Sequence, residues 1–354
     1  RCPANVLTIL RHDARWKGVI ASNEFTTGQA CFAGPPPWDR TSAPSKMPER
    51  EDPWTDADDT RAAAWMHHHY GVNVTAKMVA EAVAVVAERN RYHPLRDYLD
   101  ALRWDGTSRL DGWLISYAGA EGGEYTVAVG RWWLLSAIAR IYRPGVQADH
   151  VLILEGSQGL GKSSLLRVLA GDYFTDELSS IGGKDSYLEL AGRWIVEIAE
   201  LDALSKAATS KIKGFITARH DRFRRPYGRR VEEHPRQCVF AGTTNSDTYL
   251  RDETGNRRFW PVRCGSIDLT ALRRDRDQLL AEAVDQYKRK AQWWPADPSE
   301  IALLEREQDR RRQTDPWELP VGDWLARNVG RYVTVAEVLE HCLDKRTSDW
   351  TQAD

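Results

Sequence analysis

The chain of 354 residues is long enough for about two or three domains and a sizeable core. Charged residues make up 28% and nearly cancel at a net charge of −2, so no global basic field marks a nucleic-acid partner and any such partner must be held by a local patch. The five cysteines, Cys2, Cys31, Cys238, Cys264 and Cys342, form no CxxC pair, which argues against a zinc knuckle or a disulfide framework, and no apolar run approaches the roughly 18 residues that span a bilayer. The expectation is a soluble chain in a reducing cytoplasm with no membrane partner.

The chain opens on Arg1 rather than Met, which fits a piece of a longer protein. Residues 1–54 read as a small β-leaning segment, with "NVLTIL" and "WKGVIASNEF" as strand-like pieces ahead of a Pro-rich loop, "AGPPPWDRTSAPSKMPEREDP". Residues 55–145 read as helical. "TAKMVAEAVAVVAERN" carries Val79, Ala82, Val83, Val86 and Ala87 at helical spacing behind Thr75 as N-cap, and further helices are predicted over 94–102, 108–117 and 127–141. Adjacent histidines at 67–69 point different ways on a helix, so no metal is assigned to them. The fifteen tryptophans follow no fixed period and read as core and interface anchors.

After Pro144 the rhythm becomes strand alternating with helix, which predicts an α/β fold with a parallel sheet over 146–267. Residues 268–354 read as a helical or winged-helix-like region. Within the sheet region "GSQGLGKSS" fits G-x-x-x-x-G-K-[ST], with an apolar strand before it and a helix after it. That context predicts an ATP phosphate cradle from Gly156, Ser157, Gln158, Gly159, Leu160, Gly161, Lys162, Ser163 and Ser164. Lys162 would reach the β and γ phosphates, and the Ser163 hydroxyl would be a ligand for Mg²⁺.

Hydrolysis also needs a carboxylate for the magnesium shell and the attacking water. "RWIVEIAELD" offers Glu200 at the exit of an apolar strand, the ligand-binding edge of a parallel sheet, so Glu200 is the expected catalytic and metal-side group. Glu197, inside the strand, reads as a supporting group or the partner of an arginine. The next strand, "QCVFAGTTN", ends in Asn245, placed to hold the attacking water, with an ordinary turn asparagine as the alternative.

The ordered set of P-loop, "WIVEIAE", "AGTTN" and "GNRRFWPV" resembles the virulence-associated protein E family, a phage and mobile-element branch of the superfamily 3 helicase-like AAA+ ATPases, over roughly residues 85 to 300. The resemblance implies a P-loop, AAA+-like NTPase core and a homo-oligomeric ring, a hexamer, acting in DNA replication inside a bacterial or phage-infected cell. Relatives often join such a motor to a primase domain, which would here lie before Arg1. The chain departs from acidic-pair versions of the strand motif in carrying Ala199 before Glu200.

"ARHDRFRRPYGRR" packs Arg219, Arg222, Arg224, Arg225, Arg229 and Arg230 around Phe223 and Tyr227 in an otherwise neutral chain. Arginines grip phosphates and aromatics stack on bases, so Arg219, Arg222, Arg224, Arg225, Tyr227 and Arg229, with Lys213 upstream, are the expected contacts to single-stranded or forked DNA. Pro226 and Gly228 would turn the segment as a hairpin, and superfamily 3 helicases carry a pore-facing hairpin at this point in the chain order. The alternative is an ion-pair cluster with Asp221, Glu232 and Glu233. The adjacent Arg257 and Arg258 read as a finger offered to the next subunit's γ phosphate, against stacking on Trp260 or pairing with Asp252 or Glu253. The leading expectation is a DNA helicase or translocase driven by Mg²⁺-dependent ATP hydrolysis. A replication initiator or loader with little unwinding and a P-loop small-molecule kinase are the alternatives.

Overall fold

The computed structural model describes residues 3–26, 28, 30–38, 52–178, 183–199, 206–224, 231–250, 256–312 and 317–344. The chain begins with α1 (Pro3–His12), β1 (Ile20–Asn23), β2 (Ala30–Phe32), α2 (Asp56–Tyr70), α3 (Ala76–Arg89) and β3 (Arg91–Tyr92). "NVLTIL" therefore lies in a helix, contrary to its β-leaning composition. Val6, Ile9 and Leu10 recur at helical spacing and all face the core. β1 is the middle strand of a three-stranded sheet, antiparallel to β2 and parallel to β3. Trp16 is the hub of this unit, with the rings of Trp38, Trp54 and Trp65 within 5.6, 6.3 and 5.5 Å. The Thr75 hydroxyl accepts from Met78 N and caps α3 as its position suggests. At the end of α2, the His69 ring stacks on Trp65 at 4.3 Å. Most of the Pro-rich loop, residues 39–51, lies outside the described residues.

Three helices follow: α4 (Pro94–Ala101), α5 (Trp113–Ala118) and α6 (Glu124–Tyr142). The helix expected from Ser108 starts only at Trp113, because buried Glu282 accepts from Ser108 Oγ and from the Arg109 and Leu110 N–H groups and holds that stretch as a turn.

The α/β part comprises β4 (Val151–Glu155), α7 (Lys162–Ala170), β5 (Phe174–Thr175), α8 (Lys184–Glu189), β6 (Ile195–Ile198), α9 (Lys206–Thr217), the hairpin β7 (His220–Phe223) and β8 (Glu232–Pro235), β9 (Val239–Thr244) and β10 (Phe259–Arg263). Five strands form one parallel sheet in the order β10-β4-β9-β6-β5. Every residue of β4, β6 and β9 is buried, as a parallel sheet covered on both faces requires. Alternation divides each strand between two cores. Leu152, Leu154, Ile195, Val239 and Ala241 face α6, α7 and the helix α10 (Leu269–Lys288), whereas Val151, Ile153, Val196, Ile198 and Phe240 face α9.

Trp133 and Trp194, both fully buried, donate their indole N–H groups to Phe240 O and Ala137 O, so α6 is bolted across the sheet. One core thus runs across the expected boundary at residue 145, with Leu95, Trp113 and Ile138 in the same cluster as Leu152 and Leu165. The chain continues through α11 (Pro298–Asp309), α12 (Glu318–Arg327) and α13 (Val335–Glu337), the last running into a π turn over Val338–Cys342. Where the sequence suggested a winged helix, the described residues 317–344 are helical and hold no strand.

Candidate nucleotide-binding site

β4 delivers the chain to the loop Gly156–Gly161, and α7 leaves it. Gly156, Gly159 and Gly161 have φ of 147°, 80° and 96°, conformations that L side chains rarely adopt. A Cβ at Gly156 would crowd only the movable end of the Leu160 side chain, so it is the backbone conformation that asks for glycine there. Gly161 caps α7 with no side-chain hydrogen bond, which leaves the N–H groups of the first turn directed at the loop. Ser157, Gln158, Gly159 and Ser164 are exposed, and Leu160 tucks against the core.

Lys162, 7% exposed, folds back over the loop. Its Nζ donates to Gly156 O at 2.5 Å, to Ser157 O at 2.9 Å and to Asn245 Oδ1 at 3.1 Å. The structure therefore brings together the lysine that follows the glycine-rich loop and the amide at the end of β9, two groups 83 residues apart in the chain.

Among the described residues the carboxylate that meets this loop is Glu197. Glu197 is 1% exposed, and its Oε1 accepts from Ser163 Oγ at 2.8 Å and from Thr243 Oγ1 at 2.6 Å. Its second oxygen, Oε2, is buried with no hydrogen-bond partner among the described residues. The reason is the strand's alternation. Glu197 shares the face of Ile195, and that face looks onto α7, whose first turn carries Ser163. Thr243, on the same face of β9 as Ala241, was not singled out from sequence, although its parity with Val239 and Ala241 is readable. Glu200 lies outside the described residues. An acceptor oxygen left open beside a serine hydroxyl is a donor set suited to a hard divalent cation such as Mg²⁺, with Ser163 and Glu197 as the groups that would hold it.

Arg257 and Arg258 end a 3₁₀ turn, Asn256–Arg258, that opens the edge strand β10. β10 pairs with β4 from Phe259↔Val151 to Arg263↔Glu155, so the pair lies at the end of the sheet opposite the glycine-rich loop. That is a separation on the order of 15 Å along the strand, beyond the reach of a guanidinium. Among the described residues it is the His150 ring that stacks on Trp260, at 4.1 Å. Burial pushes the His150 imidazole down to about 4; Asp149 opposes this, and Arg258 and Arg257 add to it. Arg257 is exposed, and Arg258 Nε is buried with no hydrogen-bond partner among the described residues. Asp252 and Glu253 lie outside them.

The basic segment is a hairpin, with β7 and β8 paired antiparallel from His220↔Pro235 to Phe223↔Glu232. Arg222 and Arg224 are exposed on its first arm. Arg219 is also exposed, but its Nε donates to Gly145 O at 2.8 Å. Arg225, Tyr227 and Arg229 lie outside the described residues. Asp221 is committed to the hairpin base, where it makes a buried ion pair with Arg236. Lys213 does not belong to the exposed set. It is 7% exposed, with its Nζ 5.9 Å from the Phe259 ring, because its position on α9 faces the sheet.

The family model described as a virulence-associated protein E-like domain matches residues 99–313, from α4 to just beyond α11. The chain belongs to that family. Comparison with curated proteins gives no match. Two solved structures of the NrS-1 C-terminal region are similar at 14% identity. One covers 98% of this chain and 84% of that chain with a TM-score of 0.47. For the other, the match takes in 69% of this chain and 62% of that chain, less than two thirds of its length, with a TM-score of 0.43. These distant likenesses carry no functional weight.

Proposed function

We propose that this family member is an Mg²⁺-dependent ATP hydrolase of the superfamily 3, AAA+ type that translocates on DNA and unwinds it during replication of a phage or mobile element. The observation that carries the ATPase reading is Glu197, a buried carboxylate with one oxygen held by Ser163 and Thr243 and the other open, directly beside a glycine-rich loop. In this reading the N–H groups of the loop and of the first turn of α7 hold the phosphates, and Lys162 exchanges its carbonyl partners for phosphate oxygens. Bound Mg²⁺ would neutralise charge on the β and γ phosphates. Asn245 orients the attacking water, and Glu200 takes its proton.

The placement of Arg257 and Arg258 supports a ring. They are remote from their own loop and sit at the edge of the sheet, where a neighbouring copy could receive them. Arg222 and Arg224 on the hairpin supply the phosphate contacts to single-stranded or forked DNA. No helix of the described residues is long and apolar enough to cross a membrane, and the proposed place of action is the cytoplasm of a bacterial or phage-infected cell.

The test is strand displacement of a forked duplex with ATP and Mg²⁺, run alongside sedimentation with nucleotide. A ring that displaces the strand supports the motor. A ring that hydrolyses ATP without displacing it supports an initiator or loader, and a monomer that phosphorylates a small acceptor supports a kinase.

A further inference from the structure

At the far end of α11 a second buried polar cluster meets the phosphate loop from behind. Glu155, the last residue of β4 and the neighbour of Gly156, is 3% exposed. Arg311 grips it with both arms of its guanidinium, Nε to Oε1 at 2.8 Å and Nη2 to Oε2 at 3.0 Å, and Tyr249 donates its hydroxyl to Oε1 at 2.8 Å. Arg311, in the turn just past α11, also pairs with Glu307 of that helix. Its main-chain carbonyl accepts from the N–H groups of both Tyr249 and Leu250 at 3.1 Å. Three residues earlier, Gln308 Nε2 donates to Phe259 O at 3.0 Å, which fixes the same helix end to β10.

Tyr249 follows Asn245 by four residues, and Asn245 and Gly156 O are both partners of the Lys162 ammonium. One residue thus fastens the strand end that launches the phosphate loop to the segment that follows the water-orienting amide. We propose that Arg311 is a positioning residue: through Glu155 and Tyr249 it holds the phosphate loop and Asn245 in register for hydrolysis. The proposal rests on the ATPase reading of the site. It assigns Arg311 no contact with nucleotide. Its substrate is the geometry between two loops, and misplacement of a reacting group by about 1 Å costs on the order of 100-fold in rate.

A buried ion pair also affects stability, so the test must separate the two roles. Removing one partner leaves a lone buried charge, whereas replacing both with neutral groups does not. Full-length Arg311→Gln, Glu155→Gln and the double variant would be compared for thermal midpoint, kcat and KM for ATP. The expected result is that the double variant regains most of the stability lost in the singles. Its kcat stays down about 10- to 100-fold, no further than either single, with KM within about threefold of the parent. Arg311→Lys, which keeps the charge but loses the planar fork, is expected to fold and to show the same loss of kcat.

If kcat returns with stability in the double variant, or if Arg311→Lys turns over like the parent, Arg311 is only structural and the proposal is overturned. Losses in the two singles that multiply in the double overturn action through Glu155. A parent chain that does not hydrolyse ATP overturns the reading of the site itself, an outcome distinct from either of these.

Discussion

Replacing Glu197 with Gln keeps the shape of the side chain and removes its charge. In the structure Oε1 accepts from two hydroxyls, Ser163 at 2.8 Å and Thr243 at 2.6 Å. Hydrogen bonds to a charged group are worth about 1.5–3 kcal/mol and neutral ones about 0.5–1.5, so the change costs about 2 kcal/mol over the two bonds. Relief from burying an ionised group offsets part of this, and the fold should persist with a modestly lower midpoint. The open Oε2 becomes an NH₂ donor or its equivalent after a flip, which faces a cation with the wrong dipole. Loss of a group that holds or orients a metal ligand lowers metal affinity by about 10- to 100-fold, so the Mg²⁺ midpoint for ATP hydrolysis should rise by that factor. Titrating Mg²⁺ against hydrolysis, with circular dichroism to verify folding, measures it. Glu200→Gln is expected to leave the Mg²⁺ midpoint in place and to lower turnover by about 10²- to 10⁴-fold as the loss of a general base. A folded Glu197→Gln chain with the parent's Mg²⁺ midpoint would refute the assignment of Glu197.

Three further outcomes are expected. Substituting Arg222 and Arg224 with Ala should weaken single-stranded DNA binding and reduce the slope of log affinity against log salt by about one to two units, read by fluorescence anisotropy, with ATP binding unchanged. Mixing Arg258→Ala with Lys162→Ala subunits should recover part of the hydrolysis that each lacks alone, whereas a mixture as inactive as its components would refute a finger acting between subunits. His150 has its folded pKa pushed below that of the unfolded chain, to about 4, so unfolding takes up a proton between about pH 6.5 and 4. Stability should fall through that window as pH drops, by up to about 3 kcal/mol, and chemical denaturation of His150→Phe should show a shallower acid limb.

The glycine-rich loop is legible because its turn needs backbone freedom: Gly156, Gly159 and Gly161 all take positive φ between an apolar strand and a helix. The carboxylate was legible only in part. The strand exit points to Glu200, which lies outside the described residues, whereas alternation puts Glu197 with Ile195 on the face that packs against the helix carrying Ser163. In "NVLTIL" the branched residues suit a strand, while the spacing of Val6, Ile9 and Leu10 records the helix. Charge alone groups Lys213 with the arginines, and only the packing of α9 on the sheet shows that it is buried. The Arg311 contact to Glu155 joins residues 156 apart, with no local pattern to announce it.

The most direct test of the central claim is steady-state ATP hydrolysis by the parent chain, with Mg²⁺ or with EDTA, and with or without single-stranded DNA. Lys162→Ala, which removes the ammonium now held by Gly156 O, Ser157 O and Asn245, is the control. Hydrolysis is expected to require Mg²⁺, to rise with DNA and to disappear in the control. Hydrolysis no greater than that of Lys162→Ala under every condition would contradict the claim.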